Sequence, residues 1–280
     1  MVNRGIILQA RTGSTRLSGK ILLKLPFGSN TLVIEHVIKR CKKVAGINNI
    51  ILATTTQRSD DILEDTAISE GVKIFRGNKE NVLERSYYAA KKNKLDIIVR
   101  LTADNPCIDP QLVNSTLKKH IEGIWDYTAT EGYPLGLDIE VFNFNTLEEA
   151  YKNAEKDYEK EHVTPYIYMN PQIFKINKVK APKELYAPDI RITLDTEEDY
   201  TLLCAVFDYL YPKNEYFNAY DIVNLFKEKP WLKKINKKVI QKKTFDTLKE
   251  ELKEAVKILD LQDLKRASKI LEEIISHEKD

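Results

Sequence analysis

The stretch from Gln9 to Lys20, QARTGSTRLSGK, crowds two arginines, a lysine, two glycines and four hydroxyl residues behind the apolar run GIIL. Cations placed this close repel one another unless an anion is to lie among them. Small residues at Gly13 and Ser14 let backbone N–H groups approach phosphate oxygens, and Arg11, Arg16 and Lys20 neutralise their charge. The stretch reads as a grip for a chain of phosphates; the alternative is a solvated basic turn before a helix. It is not a P-loop. That motif needs four residues between its glycines and a hydroxyl after the lysine, whereas five separate Gly13 from Gly19 and Ile21 follows Lys20. The dinucleotide fingerprint G-x-G-x-x-G is absent as well.

Two carboxylates stand where a metal for those phosphates would be held. RLTADNP places Asp104 just beyond an apolar strand pattern, and RITLDTEEDY does the same for Asp195. A carboxylate at a strand end projects into the crevice, and magnesium is typically held by one or two carboxylates plus phosphate oxygens. The alternative for each is a helix N-cap, which suits Asp195 before TEED, and Asp199 is a competing ligand.

Short β-branched runs must position these groups. GIILQA, NIILATT, VKIF and DIIVRLT read as strands, several of them nearly continuously apolar, as strands covered on both faces are. Helical patterns separate them. Val33, Val37, Cys41 and Val44 share one face, DDILEDTAISEG ends in a glycine suited to a C′ position, and Pro110 falls in a first turn. Such alternation predicts an α/β fold, a mostly parallel sheet with helices on both faces. WDYTAT, LDIEVFN, QIFKINKV and IRITLD add strands with antiparallel members, between helices starting near Asn145, Tyr158 and Thr196. From Thr244 the pattern is purely helical. Phe245, Leu248, Leu252, Val256 and Leu259 share one face and Leu264, Ala267, Leu271 and Ile274 another, predicting a helical hairpin over 244–280 appended to a domain over 1–243.

In order along the chain, QARTGSTRLSGK, LVIEHVIKR, FRGNKENVLERSYYAA, VRLTADNPCIDP, LDIEVF, EHVTPYI and RITLDTEEDY resemble the cytidylyltransferases that activate acidic sugars. These include the 3-deoxy-manno-octulosonate and acylneuraminate enzymes and the branch typified by the spore coat polysaccharide biosynthesis protein SpsF. The resemblance implies a Rossmann-like nucleotide-diphospho-sugar transferase fold, transfer of CMP from CTP with release of pyrophosphate, and Mg2+ as cofactor. By position it implies that Ala10, Arg11, Gly13, Ser14 and Arg16 embrace the base edge and triphosphate, and that Lys20 reaches the α-phosphate or the acceptor. Arg76, Asn81 and Arg85 would lie near the nucleotide, and Thr54 and Thr55 would line the ribose or base pocket. It also points to Asp104 and Asp195 as metal ligands. Lys20, Arg16 and Asp104 are thus the candidate catalytic residues.

Asp138 and Glu140 alternate with Ile139 and Val141, so both face one side of a strand and are candidates for receiving sugar hydroxyls. His162 is a candidate for the acceptor's anion, with a capped or packed histidine as the alternative; Tyr133 and Tyr166 are assigned to the core. The acceptor would be a small acidic sugar or sugar phosphate for a surface glycan. A metal-dependent glycosyltransferase and a non-catalytic nucleotide-binding scaffold are the rival functions.

Composition excludes other classes. The 280 residues are 42% hydrophobic and 31% charged, enough for a sizeable core, and three dispersed cysteines argue against a disulfide framework or structural zinc. A net charge of +2 gives no reason to expect nucleic acid as a partner, and eight lysines in KEKPWLKKINKKVIQKK read as a solvated linker. No apolar stretch approaches a membrane span and no signal peptide follows Met1, so a cytoplasmic enzyme, assembled as a homodimer like many of this fold, is expected.

Overall fold

The four apolar runs of the first half form β1 (Arg4–Gln9), β2 (Asn49–Thr55), β3 (Lys73–Gly77) and β4 (Ile97–Thr102), paired in parallel in the order β3-β2-β1-β4. β5 (Tyr127–Glu131), β6 (Glu140–Asn143) and β7 (Ile176–Lys180) extend the sheet as β4-β6-β5-β7. β6 is antiparallel to both neighbours while β7 is parallel to β5, so the other six strands share one direction. This computed structural model describes residues 2–240 and 247–277, in two units, Met1–Val239 and Ile240–Asp280. The expected boundary at Lys243 and Thr244, and Phe245 with it, lies outside the described residues.

Both faces of the sheet are covered, as the apolar strands require. Ile6 and Leu8 of β1 face a cluster built with α1 (Val33–Cys41), α2 (Asp61–Ser69), α4 (Pro110–Glu122), α8 (Glu197–Leu210) and α9 (Ala219–Glu228). Ile7 faces the other cluster, with α3 (Val82–Lys92), α5 (Phe144–Asn153) and α7 (Pro165–Tyr168); the short α6 (Asp157–His162) precedes α7. The chain leaves β1 toward β2 and β3, then returns to place β4 on the opposite side of β1. That reversal opens a crevice outside the carboxyl ends of β1 and β4, where open α/β sheets bind ligands. The basic loop follows β1 and Asp104 follows β4, so topology alone puts both there.

One expected strand is not part of the sheet. IRITLD runs extended but makes a single bridge, Arg191 to Leu135, with Leu135 N–H donating to the Ile190 carbonyl and Ile192 N–H to the Leu135 carbonyl, each at 2.8 Å. The approach needs glycine at 136. Its φ is +108°, and a Cβ there would stand 2.9 Å from the backbone of Ile192 and Thr193. Leu194 N–H then donates to the Asp104 carbonyl at 2.9 Å, which carries Asp195 to the crevice. The β-branched pattern that resembled a sheet strand instead serves to bury Ile190, Ile192 and Leu194.

The lysine-rich segment is also more than a linker. Its 3₁₀ turn Pro230–Lys234 buries Leu232 completely, Lys233 pairs with Asp189 at 2.7 Å, and Asn236 is buried. Among the described residues Lys234, Lys237 and Lys238 are exposed, on a strap anchored by the buried Leu232. In the second unit α10 (Leu248–Leu261) and α11 (Lys265–His277) contact each other across a turn, with Leu252, Val256, Leu259 and Leu271 half-buried. Among the described residues no helix is long and apolar enough to cross a membrane.

Candidate active site

The loop after β1 closes on itself, Gly19 N–H donating to the Thr12 carbonyl at 3.0 Å and Leu17 N–H to Ser14 Oγ at 3.4 Å. Asp60 holds its first turn. Thr12 donates to Asp60 Oδ1 through its N–H at 2.7 Å and its hydroxyl at 2.6 Å, and the Thr55 hydroxyl bonds Oδ2. Burial alone would raise the Asp60 pKa, but those donors outweigh it and hold the carboxyl below its ordinary value of 3.8. Thr55 is therefore engaged as a buried support for the loop. Gly13 lies exposed, with open space where a side chain would be.

Asp60 was not singled out from the sequence; its only signal is an Asp following the hydroxyl-ending strand β2. A depressed folded pKa stabilises the fold fully above the unfolded pKa, and that contribution is lost as pH falls through the folded value. Asp60→Asn should therefore cost about 2 kcal/mol at neutral pH, for charged hydrogen bonds weakened to neutral ones. It should also flatten the acid limb of a urea-midpoint profile taken down to about pH 3. An unchanged acid limb would assign that stability to other carboxylates.

At the crevice the loop meets both candidate ligands. Lys20 Nζ donates to Asp104 Oδ2 at 2.6 Å and to Asp195 Oδ1 at 2.8 Å, and Arg16 Nη2 stands 2.9 Å from the same Asp195 oxygen. Arg191 Nη2 reaches Asp195 Oδ2 at 2.7 Å. Burial disfavours the charged forms of Lys20 and Asp195, yet their mutual attraction prevails, raising the Lys20 pKa and lowering that of Asp195. Three cations and three carboxylates thus interlock here once Asp199 is counted, since Arg191 grips both its oxygens at 2.9 Å.

Asp199 plays a different part from Asp195. It is 1% exposed, closes the capping box of α8 with Thr196, and accepts the N–H groups of Asp195 and Thr196 at 3.0 and 3.2 Å. With Arg191 and Asn236 also donating, its oxygens have no room for a metal. Arg191 was likewise not anticipated, although an arginine four residues before Asp195 and eight before Asp199 is a readable signal.

Other candidates are distributed around this centre. Arg85 is 1% exposed; Nη1 donates to the Asn78 carbonyl at 2.6 Å while Nε and Nη2 have no partner. Burial, together with nearby Arg11 and Arg100, lowers its pKa to about 10. Asn81 caps α3, accepting from Glu84 N–H at 2.9 Å. Arg76 braces the end of β2 and the start of α2, bonding the Thr55 and Gln57 carbonyls, Asp61 and Glu64. Ala10 is buried with its N–H on the Ala53 carbonyl, and the hydroxyl of Thr54 is buried without a partner.

On the acceptor side, Glu140 bonds Arg100 across the last β4–β6 rung and accepts the hydroxyls of Tyr127 and Thr164, each at 2.6 Å. Arg100 also donates to Gln9 at 3.0 Å, so it fastens β1, β4 and β6 together at the crevice floor. Asp138 lies just before β6 and keeps an exposed surface while protein surrounds it; burial raises its pKa against the opposing Gly136 N–H, and Glu140 adds to the rise. His162 is exposed at the end of α6, Tyr133 is buried and Tyr166 half-buried.

Comparison with known proteins places this architecture. The family model for cytidylyltransferases matches residues 5–229. The chain belongs to the cytidylyltransferase family. It is 39% identical over 206 residues to the spore coat polysaccharide biosynthesis protein SpsF of Bacillus subtilis, covering 72% of this chain and 85% of that one. An uncharacterized protein of Methanocaldococcus jannaschii is 39% identical over 236 residues, 84% of this chain and 95% of its own. A solved cytidylyltransferase from Leptospira borgpetersenii superposes with a TM-score of 0.77 at 31% identity, covering 88% of this chain and all of that one. The cytidylyltransferase is thus a CTP-dependent nucleotidyltransferase on a Rossmann-like α/β sheet, with two helices appended at its C-terminus.

Proposed function

We propose that the enzyme transfers CMP from CTP to a small acidic sugar or sugar phosphate, for surface polysaccharide synthesis in the cytoplasm. The observation that carries this is the meeting of Lys20, Asp104 and Asp195 beside an anion-gripping loop at the switch point of the sheet. Backbone N–H groups around Gly13 and Ser14, with Arg11 and Arg16, would hold the triphosphate. Arg85, buried with two unpaired nitrogens, supports a place beside the nucleotide, because a polar partner there would complete its bonding.

The residues present fit magnesium. Asp104 and Asp195 come from different segments yet converge on one cation, the Lys20 ammonium, and both offer hard oxygen donors. Among the described residues no group of three or more His, Cys, Asp or Glu side chains could hold a metal ion by itself, so phosphate oxygens would complete the shell. Magnesium bound there would withdraw charge from the phosphates. Lys20, released from the carboxylates, would neutralise the α-phosphate as an acceptor oxygen attacks in line and pyrophosphate leaves. An anionic acceptor oxygen needs no strong protein base. Asp138 faces the acceptor side, with Arg100 and Glu140 shaping the floor and His162 further out at the rim of α6.

A pyrophosphate-release screen of the four NTPs against acidic sugars and sugar phosphates tests the reading. CTP with one acidic acceptor should give turnover. Turnover only with another NTP, or only with neutral sugars, would overturn it. The homodimer proposed with this activity is checked by light scattering of the full chain.

A further inference from the structure

Asn236 lies in the strap after α9, beyond the residues that the family model matches, and is 5% exposed. Its side-chain N–H group makes two bonds, to Asp199 Oδ1 at 2.8 Å and to the Arg191 carbonyl at 3.0 Å. Those two residues support Asp195 from behind. Arg191 shares its Nη2 between Asp199 Oδ2 at 2.9 Å and Asp195 Oδ2 at 2.7 Å, and Asp199 also accepts the backbone N–H of Asp195.

We propose that Asn236 is a positioning residue for Asp195, acting through the Arg191–Asp199 pair. Among the described residues Asp199 Oδ1 accepts from two side chains, Arg191 Nε and Asn236 Nδ2. Without the amide, Arg191 must satisfy that oxygen alone, and its guanidinium is drawn from Asp195 toward Asp199. Asp195 then loses the donor that sets its orientation toward the crevice. Groups one bond behind a ligand govern its aim and basicity in this way.

The residue type fits the task. Around it, Lys20, Arg16 and Arg191 already balance Asp104, Asp195 and Asp199. A lysine, abundant in this segment, would add a fourth cation; an amide donates without adding any charge. Anchoring of the strap does not require it, since Leu232 is fully buried a few residues earlier. A buried amide set among charges is costly unless it is bonded, and both bonds of its Nδ2 go to the support of Asp195.

This inference rests on Asp195 as a metal ligand, so the test includes that residue. In the full-length protein with CTP and no acceptor, Mn2+ binding is read by electron paramagnetic resonance, and kcat and KM for CTP are measured separately. Asn236→Leu removes the donor at similar size, and Asn236→Ala removes it without risk of overpacking. Both should weaken Mn2+ binding by about tenfold and lower kcat to match. Metal-free CTP affinity and thermal midpoint should stay near wild type. Wild-type Mn2+ affinity in both variants overturns the inference, as does a loss of metal-free CTP binding that tracks a fall in thermal midpoint. Asp195→Asn run alongside separates the two readings. If it retains Mn2+ affinity, the metal assignment itself fails; if it loses affinity while the Asn236 variants do not, only the role of Asn236 falls.

Discussion

Asp104→Asn and Asp195→Asn should each abolish magnesium-dependent turnover, a loss on the order of 10²-fold or more, while metal-free nucleotide binding survives. The two carboxylates come from the ends of β4 and of the extended segment held against Leu135, and they share one ammonium. An amide keeps their size but removes the charge a divalent cation needs and turns one acceptor oxygen into a donor. Asp199→Asn should behave differently. Asp199 is fully enclosed and opposes Arg191, so neutralising it breaks a buried pair and should cost about 3–5 kcal/mol of folding stability. Urea unfolding and pyrophosphate release on the three variants separate these outcomes. A stable, inactive Asp199→Asn beside a silent Asp195→Asn would mean that the metal sits on the other carboxylate.

The contrast between those two aspartates marks what could be read from the chain. β1, β2 and β4 were legible because burial on both faces demands continuous apolar residues, and β2 matches its expected span, NIILATT, residue for residue. The loop drew attention because crowded cations repel one another without counter-charges, and here Asp104 and Asp195 supply them to Lys20 and Arg16. Asp199 could not be told from Asp195 by local pattern, since TLDTEED suits a cap at either; separation needed the Arg191 fork and the strap. Asp60 and Asn236 act across 48 and 37 residues, on Thr12 and Asp199, and carry no motif of their own. Glu140 was legible as a carboxylate on one side of a strand. That Arg100, Tyr127 and Thr164 fill its oxygens depends on strand register and on a helix two elements away. IRITLD misled because β-branched alternation reports burial as readily as it reports a sheet.

Lys20→Ala should lower turnover by on the order of 10²-fold or more in a folded protein, as loss of a preorganised charge-stabilising group does. Lys20 has two tasks that the variant separates. Without nucleotide its ammonium lies between Asp104 and Asp195 and stabilises both charges, which is why its pKa is raised despite burial. In the proposed function, bound nucleotide would free it to meet charge developing around the α-phosphorus. Removing it leaves two carboxylates that converge without the cation between them, with Arg16 and Arg191 still on Asp195 alone. The vacated position should then be open to a divalent cation before any nucleotide arrives. Mn2+ titrations without CTP should therefore show tighter binding to Lys20→Ala than to wild type, alongside its slow turnover. Lys20→Arg, which restores charge with a different reach, should suppress that binding again and recover only part of the rate. Wild-type turnover in a stable Lys20→Ala protein removes the residue from the chemistry. Slow turnover with unchanged metal binding would keep it at the phosphate and remove it from the carboxylates.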